Sequence, residues 1–97
     1  MVEHIVLFKW KPEATQEQID AAIVGLRGLK EQLPYIVDLS VGTNYTDRGQ
    51  GFTHGLVVRF ADKSGLEAYG PSDEHQAVVK NLIGPIRSDV LAVDYEF

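Results

Sequence analysis

The feature that most constrains the fold of this chain is the order in which strand-like and helix-like segments follow one another. Strand-like runs rich in β-branched and aromatic residues lie at 3–10, 35–42, 52–60 and 88–97, with helical patterns between the first two runs and between the last two. This strand–helix–strand–strand–helix–strand order is typical of the ferredoxin-like arrangement, in which both helices cover one face of an antiparallel sheet. We predict an α+β protomer with a four-stranded sheet in the order 4-1-3-2.

Length and composition limit the classes of function. The chain has 97 residues, which suits a single domain covering residues 1–97. Its net charge is −5 and it has no run of Lys or Arg, so we expect no nucleic-acid partner. It has no cysteine, which excludes disulfides and thiol chemistry. No segment has the length of a membrane span or the pattern of a signal sequence, so a cytoplasmic protein without a membrane partner is expected.

The two faces of the predicted sheet differ in what they can contact. Alternation along the first strand places His4, Val6, Phe8 and Trp10 toward the helices and the intervening residues toward the other face. That other face is too apolar for open water, and an uncovered apolar patch of this size marks an interface. We therefore predict a homodimer whose two sheets face each other through a set of six apolar residues: Ile5, Leu7, Val57, Leu91, Val93 and Tyr95.

The first helix has a clear start and a single apolar stripe. Thr15 and Gln18 are spaced as a capping box, and Leu33-Pro34 ends the segment. Gly25 and Gly28 weaken the helix, and we interpret them as sites of close packing on the sheet, with room for a ligand as the alternative. The stripe repeats at helical spacing and consists of Ile19, Ala22, Ile23, Leu26, Leu29 and Leu33.

The second helical segment, 66–82, is interrupted by Gly70-Pro71. Proline inside a helix removes a backbone donor and clashes with the preceding turn, at a cost of ~3 kcal/mol. The break permits a new helix start with Ser72 as N-cap, which places His75 in the first turn. Tyr69 and His75 are then both delivered to the sheet edge where His4 lies, since the third strand runs antiparallel to the first.

Several segments together resemble the stress-responsive A/B barrel domain family of the dimeric α+β barrel superfamily. They are "HIVLFKWK" near the start, "GQGFTHGLVVRF" in the middle, "AYGPSDEH" at the broken helix and "VLAVDYEF" at the end. The resemblance covers essentially the whole chain and implies the fold and a dimer. It implies function less directly, since members include proteins linked to stress tolerance and small aromatic polyketide cyclases.

The cyclase members of that family imply a set of site residues. They use a histidine on the second helix, a tyrosine before it and a histidine on the first strand, which correspond here to His75, Tyr69 and His4. They also carry a tyrosine on the first helix, where this chain has Leu26. The resemblance therefore implies a candidate catalytic set that departs from the cyclases at one position.

These residue types suit proton transfer without a cofactor. A neutral His75 near a helix start could act as general base, and Tyr69 could donate to an oxygen that gains negative charge. We predict that the cavity between sheet and helix binds a small apolar or aromatic, polyketide-like molecule. Its predicted walls are Val6, Phe8, Ile23, Leu26, Leu56 and Val58.

Other interpretations of the same residues stay open. His75 could be a capping or exposed residue and Tyr69 a core residue, which would leave a non-enzymatic stress-response or structural dimer with a filled cavity. A monooxygenase that oxidises quinones or uses haem is a third possibility, on the fold alone. His54 lies at the opposite end of the third strand and is interpreted as structural. Because the three histidines lack close ligand spacing, no metal site is predicted.

Overall fold

The order of elements along the chain is the predicted one, with a more finely divided second helical region. The structure is a computed structural model that describes residues 1–97. Its elements, in chain order, are β1 (Val2–Trp10), α1 (Gln16–Gln32), β2 (Ile36–Thr43), β3 (His54–Phe60), α2 (Lys63–Tyr69), α3 (Asp73–Val78), a π-helical turn (Val79–Ile83) and β4 (Arg87–Glu96).

The four strands form one antiparallel sheet in the order β2-β3-β1-β4, which confirms the predicted order. Residues that lie side by side across the sheet share a face, so the register fixes which side chains can meet. Ile5, for example, pairs with Val57 on one side and with Val93 on the other. The predicted ferredoxin-like α+β fold is therefore confirmed.

The hydrophobic core lies between the sheet and the helices. It is a cluster of 17 buried apolar residues, and the predicted inward residues Val6 and Phe8 belong to it. Along β3 every second residue is buried, as expected for a strand covered on one face. By contrast, no residue of β4 is buried, although β4 pairs with β1 along its whole length. The helices therefore cover only three of the four strands.

The start of α1 confirms the capping-box prediction. The Thr15 side chain accepts a hydrogen bond from the Gln18 backbone N–H at 3.1 Å, and the Gln18 side chain accepts one from the Thr15 N–H at 2.9 Å. Gly25 supports the packing interpretation, since a Cβ at this position would lie 2.6 Å from Leu82 Cδ1. The glycine thus allows α1 to approach the second helical region, where the prediction had suggested the sheet.

The break in the second helical region occurs where the sequence predicts it. α2 ends at Tyr69, and α3 begins after Ser72, whose hydroxyl accepts from the His75 N–H at 3.2 Å. α2 begins earlier than the predicted 66, at Lys63, because the Asp62 carboxylate accepts from the first free helix amides. None of the helices combines the length and apolar content that crossing a bilayer requires.

Candidate active site

The three rings predicted to form a site come together at one end of the sheet. Tyr69 lies with its ring centroid 4.3 Å from that of His75 and 5.6 Å from that of His4. Tyr69 comes from the last turn of α2, His75 from the first turn of α3 and His4 from β1. The interruption of the helix at Gly70-Pro71 thus brings together Tyr69 and His75, which a continuous helix would place on different faces.

One ring nitrogen of His75 is hydrogen-bonded, and the other has no hydrogen-bonding partner. Its Nδ1 donates to the Gly70 carbonyl at 2.8 Å, which leaves Nε2 as the acceptor of a neutral ring. Burial lowers the pKa of His75 from its ordinary value, and the nearby His4 lowers it further, whereas the bond to Gly70 acts in the opposite direction. The direction agrees with the predicted neutral imidazole, and burial is its largest cause.

His4 is oriented by a carboxylate that sequence reasoning missed. Its Nδ1 donates to Asp94 Oδ1 at 2.5 Å, and the His4 side chain is 14% exposed. Asp94 lies directly opposite His4 in the pairing of β1 with β4. The predicted strand order already placed β4 beside β1, but finding this partner required the register, which the sequence pattern leaves undefined. The carboxylate fixes the tautomer and orientation of the ring.

Tyr69 is a buried phenol with an unpaired hydroxyl. The residue is 1% exposed, its ring also contacts Phe60, and its hydroxyl has no hydrogen-bonding partner in the protein. Burial raises the pKa of Tyr69, so the phenol keeps its proton at neutral pH. A buried polar group without a partner is costly, and such groups in native proteins call for an explanation. The Tyr69 hydroxyl therefore keeps a hydrogen-bond donor that no group of the protein uses.

The predicted apolar cavity is filled in the structure. Its six predicted wall residues, named above, all belong to the core cluster and are at most 8% exposed. They belong to one cluster between the sheet and the helices. A cleft of about 320 Å³ lies between β4 and α2 and includes Asp94, the partner of His4, although none of the three rings lines it. Its seven lining residues are Val2, Lys63, Leu66, Glu67, Asp94, Tyr95 and Glu96.

His54 lies at the other end of the sheet and has a full set of partners. Trp10 Nε1 donates to His54 Nδ1 at 2.9 Å, and Thr53 Oγ1 lies 2.8 Å from the same nitrogen. Because an indole can only donate, Nδ1 is unprotonated and Nε2 carries the proton, facing Thr43 Oγ1 at 3.3 Å. This geometry agrees with a structural histidine, apart from the candidate site.

Comparison with known proteins identifies the family. The profile of the Stress Responsive A/B Barrel Domain family matches residues 2–97. The chain belongs to this family. It is also 34% identical over 96 residues to a stress-response A/B barrel domain-containing protein of Arabidopsis thaliana, and the match covers 98% of the chain but 36% of the relative. This A/B barrel domain spans less than half the length of the curated relatives it matches.

Solved structures with the same fold include a dimer and an enzyme. A dimeric protein of unknown function and ferredoxin-like fold from Bacteroides fragilis is 26% identical, with a TM-score of 0.84 and coverage of 99% of this chain and 95% of that one. The hydroxynitrile lyase of Passiflora edulis is 26% identical, with a TM-score of 0.87 and coverage of 97% and 90%. The A/B barrel fold of this chain thus occurs both in dimers and in an enzyme.

Proposed function

We propose that this A/B barrel protein is a homodimer that binds a small apolar or aromatic molecule and transfers a proton on it without a cofactor. The observation that carries the proposal is the unpaired, buried Tyr69 hydroxyl in a cluster with two histidines. The Nδ1 atoms of His4 and His75 both donate to protein oxygens, which leaves both Nε2 atoms able to accept a proton.

The roles within the site follow from this arrangement. His75 Nε2 removes a proton from a ligand hydroxyl or activated carbon, as a general base whose lowered pKa keeps it neutral near pH 7. Tyr69, with its raised pKa, donates a hydrogen bond to an oxygen of the ligand that becomes negatively charged. His4 accepts or returns a second proton, and Asp94 is the positioning residue that orients it.

A cyanohydrin is a reasonable substrate class for a first test, because one structural neighbour is a hydroxynitrile lyase. In that reaction His75 Nε2 would take the hydroxyl proton, the oxygen electrons would form the carbonyl, and the C–CN bond would break with its electron pair on cyanide. The imidazolium would then return its proton to give HCN, so that no other reactant is needed. Access would be through the cleft beside Leu66 and Asp94, with small displacements of the packed side chains.

The test uses mandelonitrile as probe and the release of benzaldehyde, followed by its absorbance, as readout. We expect the wild-type protein to accelerate cleavage and His75→Ala to lose about a hundredfold or more of that rate, as is typical for loss of a general base. Asp73→Ala, an exposed change in the same helical turn, is the matched control and should keep the wild-type rate. Equal rates for wild type and His75→Ala would contradict the assignment of the base.

A second candidate is a non-enzymatic stress-response or structural dimer, which is favoured by the packing of all six predicted cavity walls into the core. It predicts no mandelonitrile cleavage and no change in the histidine ring signals in NMR spectra when mandelonitrile or benzaldehyde is added. Ligand-dependent shifts confined to His4 and His75 would support the binding site even without turnover.

The homodimer part of the proposal rests on the uncovered face of the sheet. Leu91, Val93 and Tyr95 of β4 are 48%, 51% and 48% exposed, and they continue across the sheet into Leu7 and Ile5. An apolar surface of this extent is typical of an interface. Dimeric relatives with the same fold add support.

A further inference from the structure

We infer that Gln76 is a positioning residue for His75, and that it acts on the imidazole through the backbone carbonyl of Gly70. The inference rests on the proposed role of His75 as general base and adds what sets the direction of its ring. It is drawn from the hydrogen bonds that cross the interruption between α2 and α3, where three side chains bond to two backbone carbonyls.

The Gly70 carbonyl lacks the backbone donor that a helix would give it. In a continuous α-helix the N–H of Glu74 would donate to this oxygen, since each N–H bonds to the carbonyl four residues earlier. The helix stops before Pro71, and no backbone N–H donates to Gly70 O. Carbonyls left over at helix ends are satisfied by side chains or by water. The interruption therefore creates a free acceptor next to the candidate site.

Two side chains converge on this oxygen at the same distance. His75 Nδ1 and Gln76 Nε2 each lie 2.8 Å from Gly70 O. A carbonyl oxygen has two lone pairs and can only accept, so the imidazole must carry its proton on Nδ1 and the amide must present its NH2 group. Both acceptor positions of the oxygen are then occupied, and Nε2 is the basic nitrogen of His75.

Gly70 itself places little restraint on its carbonyl. A Cβ at this position would meet nothing within 4 Å, so no neighbouring group packs against that side of the residue. Glycine also has the widest choice of backbone conformations. The direction of the carbonyl is therefore set by the groups that donate to it. The Gln76 amide is a donor that does not titrate, and it reaches the oxygen from the residue after His75. Water could donate in its place, but a mobile water would not fix the direction of the carbonyl.

The two histidines of the site differ in how their rings are held. His4 Nδ1 donates to the Asp94 carboxylate, and a hydrogen bond to a charged acceptor is roughly twice as strong as one to a neutral acceptor. His75 Nδ1 has only the neutral carbonyl of Gly70. Which nitrogen of a neutral imidazole carries the proton is set by the hydrogen bond that the ring makes, so the weaker acceptor needs a second support. Gln76 provides this support by holding the carbonyl toward the ring.

The test observes the ring nitrogens of His75 directly. Long-range proton–nitrogen correlation NMR spectra distinguish the two neutral tautomers by the chemical shifts of Nδ1 and Nε2. We expect wild-type His75 to carry its proton on Nδ1. Gln76→Leu should lower the ratio of the Nδ1–H to the Nε2–H tautomer about fivefold, the size expected for the loss of one neutral hydrogen bond. Gln76→Lys keeps a donor of similar reach and should restore most of the wild-type ratio.

The matched control is Gln16→Leu on α1. Gln16 Nε2 also donates an exposed hydrogen bond, at 2.9 Å to Asp20 Oδ1, so the control loses the same kind of bond away from His75. It should leave the His75 tautomer unchanged. Mandelonitrile cleavage is the second measurement, and Gln76→Leu should lower kcat at least twofold while KM changes less, because the apolar walls stay intact. A side chain that only closed the helix end would affect stability and not the tautomer.

The outcomes separate the positioning role from the proposed reaction. An unchanged tautomer ratio in Gln76→Leu overturns the inference, as does a wild-type His75 that carries its proton on Nε2. A lowered ratio in a protein that does not cleave mandelonitrile supports the positioning role and counts against the proposed reaction. If Gln76→Leu aggregates, Gln76→Ala removes the same donor and is judged by the same ratio.

Discussion

The two ends of the sheet carry histidines in opposite states of hydrogen bonding. At one end His54 accepts from Trp10 and faces Thr43 and Thr53, so neither ring nitrogen lacks a partner. At the other end the Tyr69 hydroxyl has no partner and His75 Nε2 is without one. Similar residue types thus serve as a structural cluster in one place and a candidate site in the other. The difference teaches that unpaired polar atoms, more than the presence of histidine, mark a place for chemistry.

The largest expected change in stability comes from disrupting the hydrogen-bonded cluster around His54. His54→Ala leaves the partly buried Trp10 indole N–H without an acceptor and removes the buried imidazole of His54. We expect the free energy of unfolding to fall by about 3 kcal/mol, combining an unpaired donor with lost packing. Urea denaturation followed by the fluorescence of Trp10, the single tryptophan, measures it.

His4→Ala is the matched comparison at the opposite end. Its partner Asp94 is 42% exposed and can return to water, so we expect a loss of about 1 kcal/mol. Equal losses for the two variants would mean that the difference in hydrogen bonding between the two ends has no energetic consequence.

A substitution of Tyr69 is expected to change stability in the opposite direction. Tyr69→Phe removes a buried hydroxyl without a partner and keeps the ring contacts, so stability should stay the same or rise by about 1 kcal/mol. At the same time the variant should slow mandelonitrile cleavage. Tyr35→Phe, at a position already 37% exposed, is the control with no expected change. Clear destabilisation by Tyr69→Phe would show that the hydroxyl has a partner in solution and would weaken the case for the site.

The smallest effect is the response to mild acid. Burial lowers the pKa of His54 and of His75 from 6.5, so the unfolded chain binds these protons more readily than the folded one. The contribution of the two neutral histidines to the free energy of unfolding should be fully present above pH 6.5. It should be lost as the pH falls through their lowered pKa values in the folded state. The carboxylates with lowered pKa, Glu3 and Asp62, act in the same direction only near pH 4.5 and below.

Denaturation at pH 7.5 and 5.5 measures this response, with the His54→Gln/His75→Gln double variant as reference. The wild type should lose more stability between the two pH values than the double variant does. An equal loss would assign the acid response to other groups.

Much of the fold could be predicted from the sequence because it depends on local patterns. The alternation of β1, the Thr15–Gln18 capping box and the break at Gly70-Pro71 each involve residues a few positions apart. The ferredoxin-like order followed from arranging these elements. The candidate rings were named through the family resemblance, and the break at Gly70-Pro71 indicated how Tyr69 and His75 approach each other.

Only the tertiary structure decided which atoms are paired and which space is filled. The bond from His4 to Asp94 spans 90 positions and depends on strand register, and the close approach of α1 to Leu82 depends on the missing side chain at Gly25. The sequence by itself determined the elements and the faces they present, because periodicity and capping act within a few residues. The partners of His54 and the unpaired Tyr69 hydroxyl arise from contacts between residues far apart in the chain, which local patterns do not encode.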